Sequence, residues 1–312
     1  LVPDDFQALG DSVVKHALFA SNVYFWQQSG YFAAPSELQP LLHTWSLAVE
    51  EQFYFCLPLF LSLFWRRGRK AVMGMLILLC TVSFCLSVLG TYRFPEATFY
   101  LLPTRAWELL AGAVLASIGG MAAGVRQRWL GELLGWGGLS AVLGCMLFYT
   151  KETRFPGLAA LPPCLGTVAI IASTGRLQTS LGKLLSLRGM VFIGMISYSL
   201  YLWHWPLLVF AKQASIDELQ KADHLLLLAA SLAIATLSWR LIEKPFRQRL
   251  LLPKATQVAA ASVGALTTLI AFGLIVYVGK GIPSRLPAEA WQLAEGRNDL
   301  NPRQLETHNL TT

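Results

Sequence analysis

The sequence predicts an all-α, polytopic transmembrane helix bundle of about nine spans, and three observations predict it. Hydrophobic residues fill 54% of the 312 positions and charged residues only 14%, a balance too apolar for a soluble domain. Uncharged runs recur at 71–90, 189–211 and 256–279, each near the ~20 residues with which a helix crosses a ~30 Å hydrocarbon core. Lipid offers no partner to backbone N–H and C=O groups, so runs this long should be helical, and the alternating pattern of a barrel is absent. Thirdly, basic residues concentrate in every second loop.

Taken in order, the first span covers 11–28, but it opens with Asp11, Lys15 and His16 and is convincingly apolar only over 17–26. The second, 44–64, carries Glu50 and Glu51. After 71–90 comes 105–124, whose first turn holds Arg105 and Glu108, then 131–149, then 156–175, interrupted by Pro162 and Pro163. Pro206 lies in the seventh span, 189–211; 224–242 and 256–279 complete the set.

Arg66, Arg67, Arg69 and Lys70, then Arg126 and Arg128, then Arg176, Lys183 and Arg188, then Lys244, Arg247, Arg249 and Lys254 mark the loops expected in the cytoplasm. Opposite loops hold Arg93, then Lys151 and Arg154, then Lys212 and Lys221 balanced by Asp217, Glu218 and Asp223. This alternation places the tail after 279 outside and makes the first and ninth spans both run outward. The net charge of +7 is therefore a topology signal; nucleic-acid binding would need clustered basic residues within a recognition motif, which are absent. Cys56, Cys80, Cys85, Cys145 and Cys164 all fall within expected spans, at spacings unlike a metal box or a secreted disulfide framework, and read as packing residues. With no Walker loop, dinucleotide fingerprint or zinc spacing, no metal and no bound cofactor is expected.

Chemistry is sought where ionisable groups enter apolar sequence, because an acidic side chain at a helix centre costs about 2.5–3.5 kcal/mol on insertion scales. At 100° per residue His43, Ser46, Glu50 and Tyr54 project within about 80° of one another. A hydroxyl, an imidazole and a carboxylate on one face can hold an acceptor hydroxyl and manage its proton; a polar seam that only binds neighbouring helices is the plainer alternative. In Ser197-Tyr198-Ser199-Leu200-Tyr201-Leu202-Trp203-His204-Trp205-Pro206, the proline cannot donate to the Leu202 carbonyl, so a kink and a freed carbonyl are expected beside His204. Ser197, Tyr201 and His204 share a face there, and aromatic walls suit a sugar ring or acyl chain, although Trp and Tyr also serve as interfacial anchors. Arg105 and Glu108, three apart, are spaced to pair. Glu243-Lys244-Pro245-Phe246-Arg247 reads as an ordinary span end, with Pro245 stopping the helix and the charges reaching water. The basic run 66–70 can attract a phosphorylated donor such as a coenzyme A thioester, though the positive-inside bias already explains it.

The segment Pro40-Leu41-Leu42-His43-Thr44-Trp45-Ser46-Leu47-Ala48-Val49-Glu50-Glu51-Gln52-Phe53-Tyr54, the Trp-His-Trp-Pro segment and Glu243-Lys244-Pro245-Phe246-Arg247, in this order, resemble the acyltransferase-3 family of integral membrane O-acyltransferases. Ser21-Asn22-Val23-Tyr24-Phe25-Trp26 through Gly30-Tyr31-Phe32, and Thr104-Arg105-Ala106-Trp107-Glu108-Leu109, look like the branch acting on bacterial surface polysaccharides. The resemblance implies an inner-membrane enzyme taking an acyl group, as acetyl, from cytoplasmic acyl-CoA (acetyl-CoA) to a hydroxyl of an extracytoplasmic glycan such as lipopolysaccharide O-antigen. It also implies that 1–250 is a partial membrane domain lacking the family's first two spans, that 251–279 is an additional span, and that 280–312 is an extracytoplasmic linker toward an SGNH-type domain. Glu50 and His204 then match the family's motif positions and are the catalytic expectations; His43, Ser46, Tyr54, Arg105, Glu108, Tyr201 and Trp205 are expected to bind substrate. The family's primary histidine matches no position, so residues 1–312 alone are expected to be inactive. Two other classes fit the same polar stripe: a transporter or flippase for a lipid-linked sugar or acyl donor, and a scaffold without chemistry.

Overall fold

The computed structural model describes residues 2–29, 38–119, 127–175, 179–215 and 219–285. Among these residues there is no strand, and eight helical segments are long and apolar enough to cross a membrane. The protein is a multi-pass, all-α membrane bundle. The expected spans from 44–64 onward each find a counterpart; the expected linker lies outside the described residues from 286 on, as do Arg126, Arg176, Asp217 and Glu218.

The expectation for 11–28 is corrected. Two shorter helices, α1 (Pro3–Ala17) and α2 (Ser21–Gln28), stand in place of one span. The apolar stretch is too short to cross, and the chain breaks at Phe19, whose φ of 55° lies in the left-handed region that costs a non-glycine residue about 1–2 kcal/mol. The Gln52 amide offsets this by donating to the Phe19 carbonyl at 2.8 Å. Helix α2 turns back along α1, with the Tyr24 hydroxyl on the Ala8 carbonyl at 3.4 Å.

Helix α3 (Trp45–Trp65) follows a 3₁₀ turn (Leu42–Thr44), so His43 sits just before the α-helix, outside the regular stripe. Helix α4 (Arg69–Arg93) leads into a short α5 (Pro95–Tyr100) and then α6 (Leu102–Gly119). The Ser83 hydroxyl ties this pair together, donating to the Pro103 carbonyl (2.7 Å) and accepting from the Trp107 amide (2.9 Å). Helices α7 (Arg128–Phe148) and α8 (Leu161–Thr174) cross at Gly138 and Gly166, where each glycine's missing Cβ leaves room for the other's carbonyl. Pro162 lies in the opening turn of α8, so the prolines start this helix and do not interrupt it.

After α9 (Ser180–Leu185), helix α10 (Arg188–Ala214) continues as one helix through Pro206, where a kink was expected. Helix α11 (Lys221–Ser238) ends in a π-helical turn (Trp239–Glu243) and a last helical turn α12 (Lys244–Arg247), so Pro245 does not stop the helix where expected. Helix α13 (Ala255–Val278) packs on α1: Gly10 faces Gly273, and Pro3 faces Gly281. Rising numbers in one helix meet falling numbers in the other, so α1 and α13 run in opposite senses, whereas the loop pattern put spans 11–28 and 256–279 in the same sense.

Candidate active site

The first half of α3 and the second half of α10 bring four expected residues together, at the end of the bundle opposite the basic loops. The Tyr201 hydroxyl meets the His43 carbonyl at 2.5 Å and the Ser46 hydroxyl at 2.6 Å. A carbonyl only accepts, so the single Tyr201 proton goes to His43, and Ser46 must donate to Tyr201. The His43 ring stands edge-on to Tyr201 and to His204, with centroids 5.2 and 5.8 Å apart.

His204 Nδ1 lies 3.1 Å from the Leu200 carbonyl of its own helix. Since that partner can only accept, Nδ1 carries the hydrogen, and the neutral ring presents a lone pair at Nε2. Pro206 leaves the Leu202 carbonyl without its helical donor, and this carbonyl is near enough to act electrostatically on the His43 ring. It is not aligned to bond: His43 is 7% exposed, and neither ring nitrogen has a hydrogen-bond partner. Trp205 uses its indole N–H on the Gln39 carbonyl (2.9 Å), and Gln213 donates to the Leu38 carbonyl (2.9 Å), so both pin residues 38–39 along α10.

Other expected residues are placed differently. Glu50 is half-buried and makes no hydrogen bond or ion pair among the described residues; it acts electrostatically on the hydroxyls of Tyr198 and Tyr201. Tyr54 is 57% exposed and packs on Phe53, apart from His43 and Ser46. Ser197 is exposed and bonds back to the Gly194 carbonyl. Arg105 and Glu108 pair at 3.2 Å as their spacing predicts, with the guanidinium boxed by Trp45, Phe99 and Phe155 at 5.5, 5.8 and 5.2 Å. This box shares Trp45 with the start of α3 and so braces the site from the side away from α10.

A family model described as an acyltransferase domain, that of the acyltransferase-3 family, matches residues 9–243. The chain belongs to this family. It is 30% identical over 261 residues to the peptidoglycan O-acetyltransferase OatA of Listeria monocytogenes, covering 79% of this chain and 42% of that protein. The putative peptidoglycan O-acetyltransferase YrhL of Bacillus subtilis is 30% identical over 251 residues (76% and 39%). The putative membrane-bound transacylase BcsY of Komagataeibacter xylinus is 28% identical over 230 residues (73% and 56%). The chain thus spans between 39% and 56% of the length of these relatives. No solved structure is a significant match.

Within this acyltransferase-3 chain, two groups near the site escaped the sequence reading. Glu243 does not reach water as expected: its side chain is 15% exposed, accepts from the buried Ser199 hydroxyl at 2.9 Å and pairs with Arg247 at 3.2 Å. Together with Glu50 and Glu51 it surrounds the Tyr198 hydroxyl electrostatically. A π-turn, which rotates Glu243 toward α10, leaves no mark in a hydropathy pattern; such turns recur at functional sites. The second group is an amide pair. Asn22, 1% exposed, donates to the Tyr100 carbonyl (3.2 Å) and accepts from Gln52 (2.8 Å), which joins α2, α3 and α5. Polar residues inside expected spans, Asn22 and Gln52 among them, were the signal available.

Proposed function

We propose that this chain is the membrane part of an O-acyltransferase that moves an acetyl group from acetyl-CoA to a hydroxyl of an extracytoplasmic polysaccharide. The observation that carries the reading is the convergence of His43, Ser46, Tyr201 and His204 at the bundle end opposite the basic loops. His204 Nε2, with its lone pair free, takes the proton of the acceptor hydroxyl as that oxygen attacks the thioester carbon. The carbon–sulfur bond breaks, the ester carbon–oxygen bond forms, and the hydroxyl proton ends on the coenzyme A sulfur. Glu50 supplies negative charge beside Tyr201 and favours the imidazolium that forms at His204. Tyr54, Arg105, Glu108 and Trp205 shape the rim and walls and do not touch the reacting atoms.

Orientation follows from the same reading. The basic end lies in the cytoplasm of a bacterial inner membrane, where a cavity of 370 Å³ lined by Trp65, Gly68, Arg69, Val72, Met73 and Ser117 suits a phosphate-bearing donor. The tail after 279 is extracytoplasmic, 251–279 is an added span and 280–312 a linker. The names of the two relatives at 30% identity favour peptidoglycan as the acceptor over lipopolysaccharide O-antigen. To test the reading, the complete protein that contains this chain is supplied with labelled acetyl-CoA on the basic side of sealed vesicles, and label is counted on peptidoglycan and on O-antigen. Ester-linked label that disappears in His204→Gln and falls in Glu50→Gln supports it. Passage of an unmodified glycan without any ester would replace it with the transporter reading.

A further inference from the structure

His43 poses a question that the reading above does not answer. Its backbone is fastened, because its carbonyl accepts from Tyr201, yet its ring is buried with both nitrogens unpaired. An unmade hydrogen bond at a buried polar atom costs about 1–3 kcal/mol, so a ring placed this way is set for a partner. The open side of the ring faces His204, 5.8 Å away between centroids at an interplanar angle of 73°. That separation accommodates, between two ring nitrogens, a hydroxyl oxygen, the carbonyl carbon it attacks and the oxygen of that carbonyl. No carboxylate hydrogen-bonds the His43 ring, so a buried positive charge there would lack a counter-ion. A neutral imidazole carries one N–H and one lone pair. It therefore offers a donor without competing with His204 for the proton.

We propose that the His43 ring N–H is the donor that holds the developing oxyanion when the thioester carbonyl is attacked. This rests on the acyl-transfer reading and adds a catalytic group to it. In the step, the acceptor O–H proton passes to His204 Nε2 and the new carbon–oxygen bond forms. The carbonyl π pair moves onto oxygen, where His43 donates a hydrogen bond. On collapse that pair returns, the carbon–sulfur bond breaks, and the His204 proton goes to sulfur. A donor aimed at charge present only in the transition state raises kcat and leaves substrate binding nearly untouched. The ring is oriented for this by Tyr201, which holds its backbone, and by the edge-on tyrosine face at 5.2 Å.

The test uses the complete protein in vesicles, with acetyl-CoA and the glycan, and three forms: wild type, His43→Phe and His43→Gln. Phenylalanine keeps an aromatic ring of similar size without a donor, whereas glutamine restores an N–H near the position of the ring nitrogen. Expected is a fall in kcat of about 100-fold or more for His43→Phe, with KM for both substrates within about threefold, and recovery of at least tenfold in His43→Gln. A wild-type kcat in His43→Phe would overturn the proposal. So would equal losses in both variants, or losses expressed in KM, since packing alone predicts those. Absence of ester formation by the wild-type protein is a separate outcome, which removes the acyl-transfer reading itself and this proposal with it.

Discussion

Tyr201→Phe isolates the contact that joins α3 to α10. It deletes one oxygen that donates to the His43 carbonyl at 2.5 Å and accepts from Ser46 at 2.6 Å. Two hydrogen bonds at about 0.5–1.5 kcal/mol each set an upper loss of about 3 kcal/mol. Ser46 already approaches the same carbonyl at 3.4 Å, so it can swing onto it once Tyr201 no longer competes, which recovers one bond. The net loss expected is then about 1–1.5 kcal/mol. Ser46→Ala should cost about 1 kcal/mol, and the double variant less than the sum, with a coupling of about 0.5–1 kcal/mol. Unfolding free energies measured by SDS titration in mixed micelles, followed by tryptophan fluorescence, give all four corners of the cycle. Additivity within about 0.3 kcal/mol, or a Tyr201→Phe protein as stable as wild type, would refute the shared hydroxyl network.

Further outcomes are expected elsewhere. Gln52→Ala strips the donor from the Phe19 carbonyl and from buried Asn22, and should lower unfolding free energy by about 1–3 kcal/mol, with Gln52→Glu failing to restore it. Gly273→Leu drives a side chain toward the Gly10 carbonyl and Val14, within 2.6 and 2.7 Å at its Cβ. A cysteine pair placed at Pro3 and Gly281 should then crosslink less in this variant than in the parent. Arg247→Ala breaks a pair whose arginine is 71% exposed, so about 0.5 kcal/mol or less is expected in low salt. Glu243→Ala should cost more, because it also leaves the buried Ser199 hydroxyl without its acceptor; equal losses for the two would contradict the inward placement of Glu243.

How much was legible follows from which forces act along the chain and which act across it. Hydropathy is a local property, so the length of each apolar run determined the spans from 44–64 to 256–279, and the loop charges marked one end of the bundle. Spacing along a single helix was equally readable, as the Arg105–Glu108 pair shows. It failed wherever the backbone left the ideal helix: His43 lies in a 3₁₀ turn, Glu243 is rotated by a π-turn, and 11–28 folds back at the left-handed Phe19.

Sequence by itself determined that this chain buries itself in a bilayer as helices, and that His43, Ser46, Tyr201 and His204 belong to two of them. Only the tertiary structure decided that these four meet while Tyr54 turns away, that α1 runs against α13, and that the ring nitrogens of His43 stay open. Burial in lipid depends on summed composition, which each segment carries alone. Contact depends on how two helices rotate about their axes when packed, and that rotation is set jointly by both surfaces.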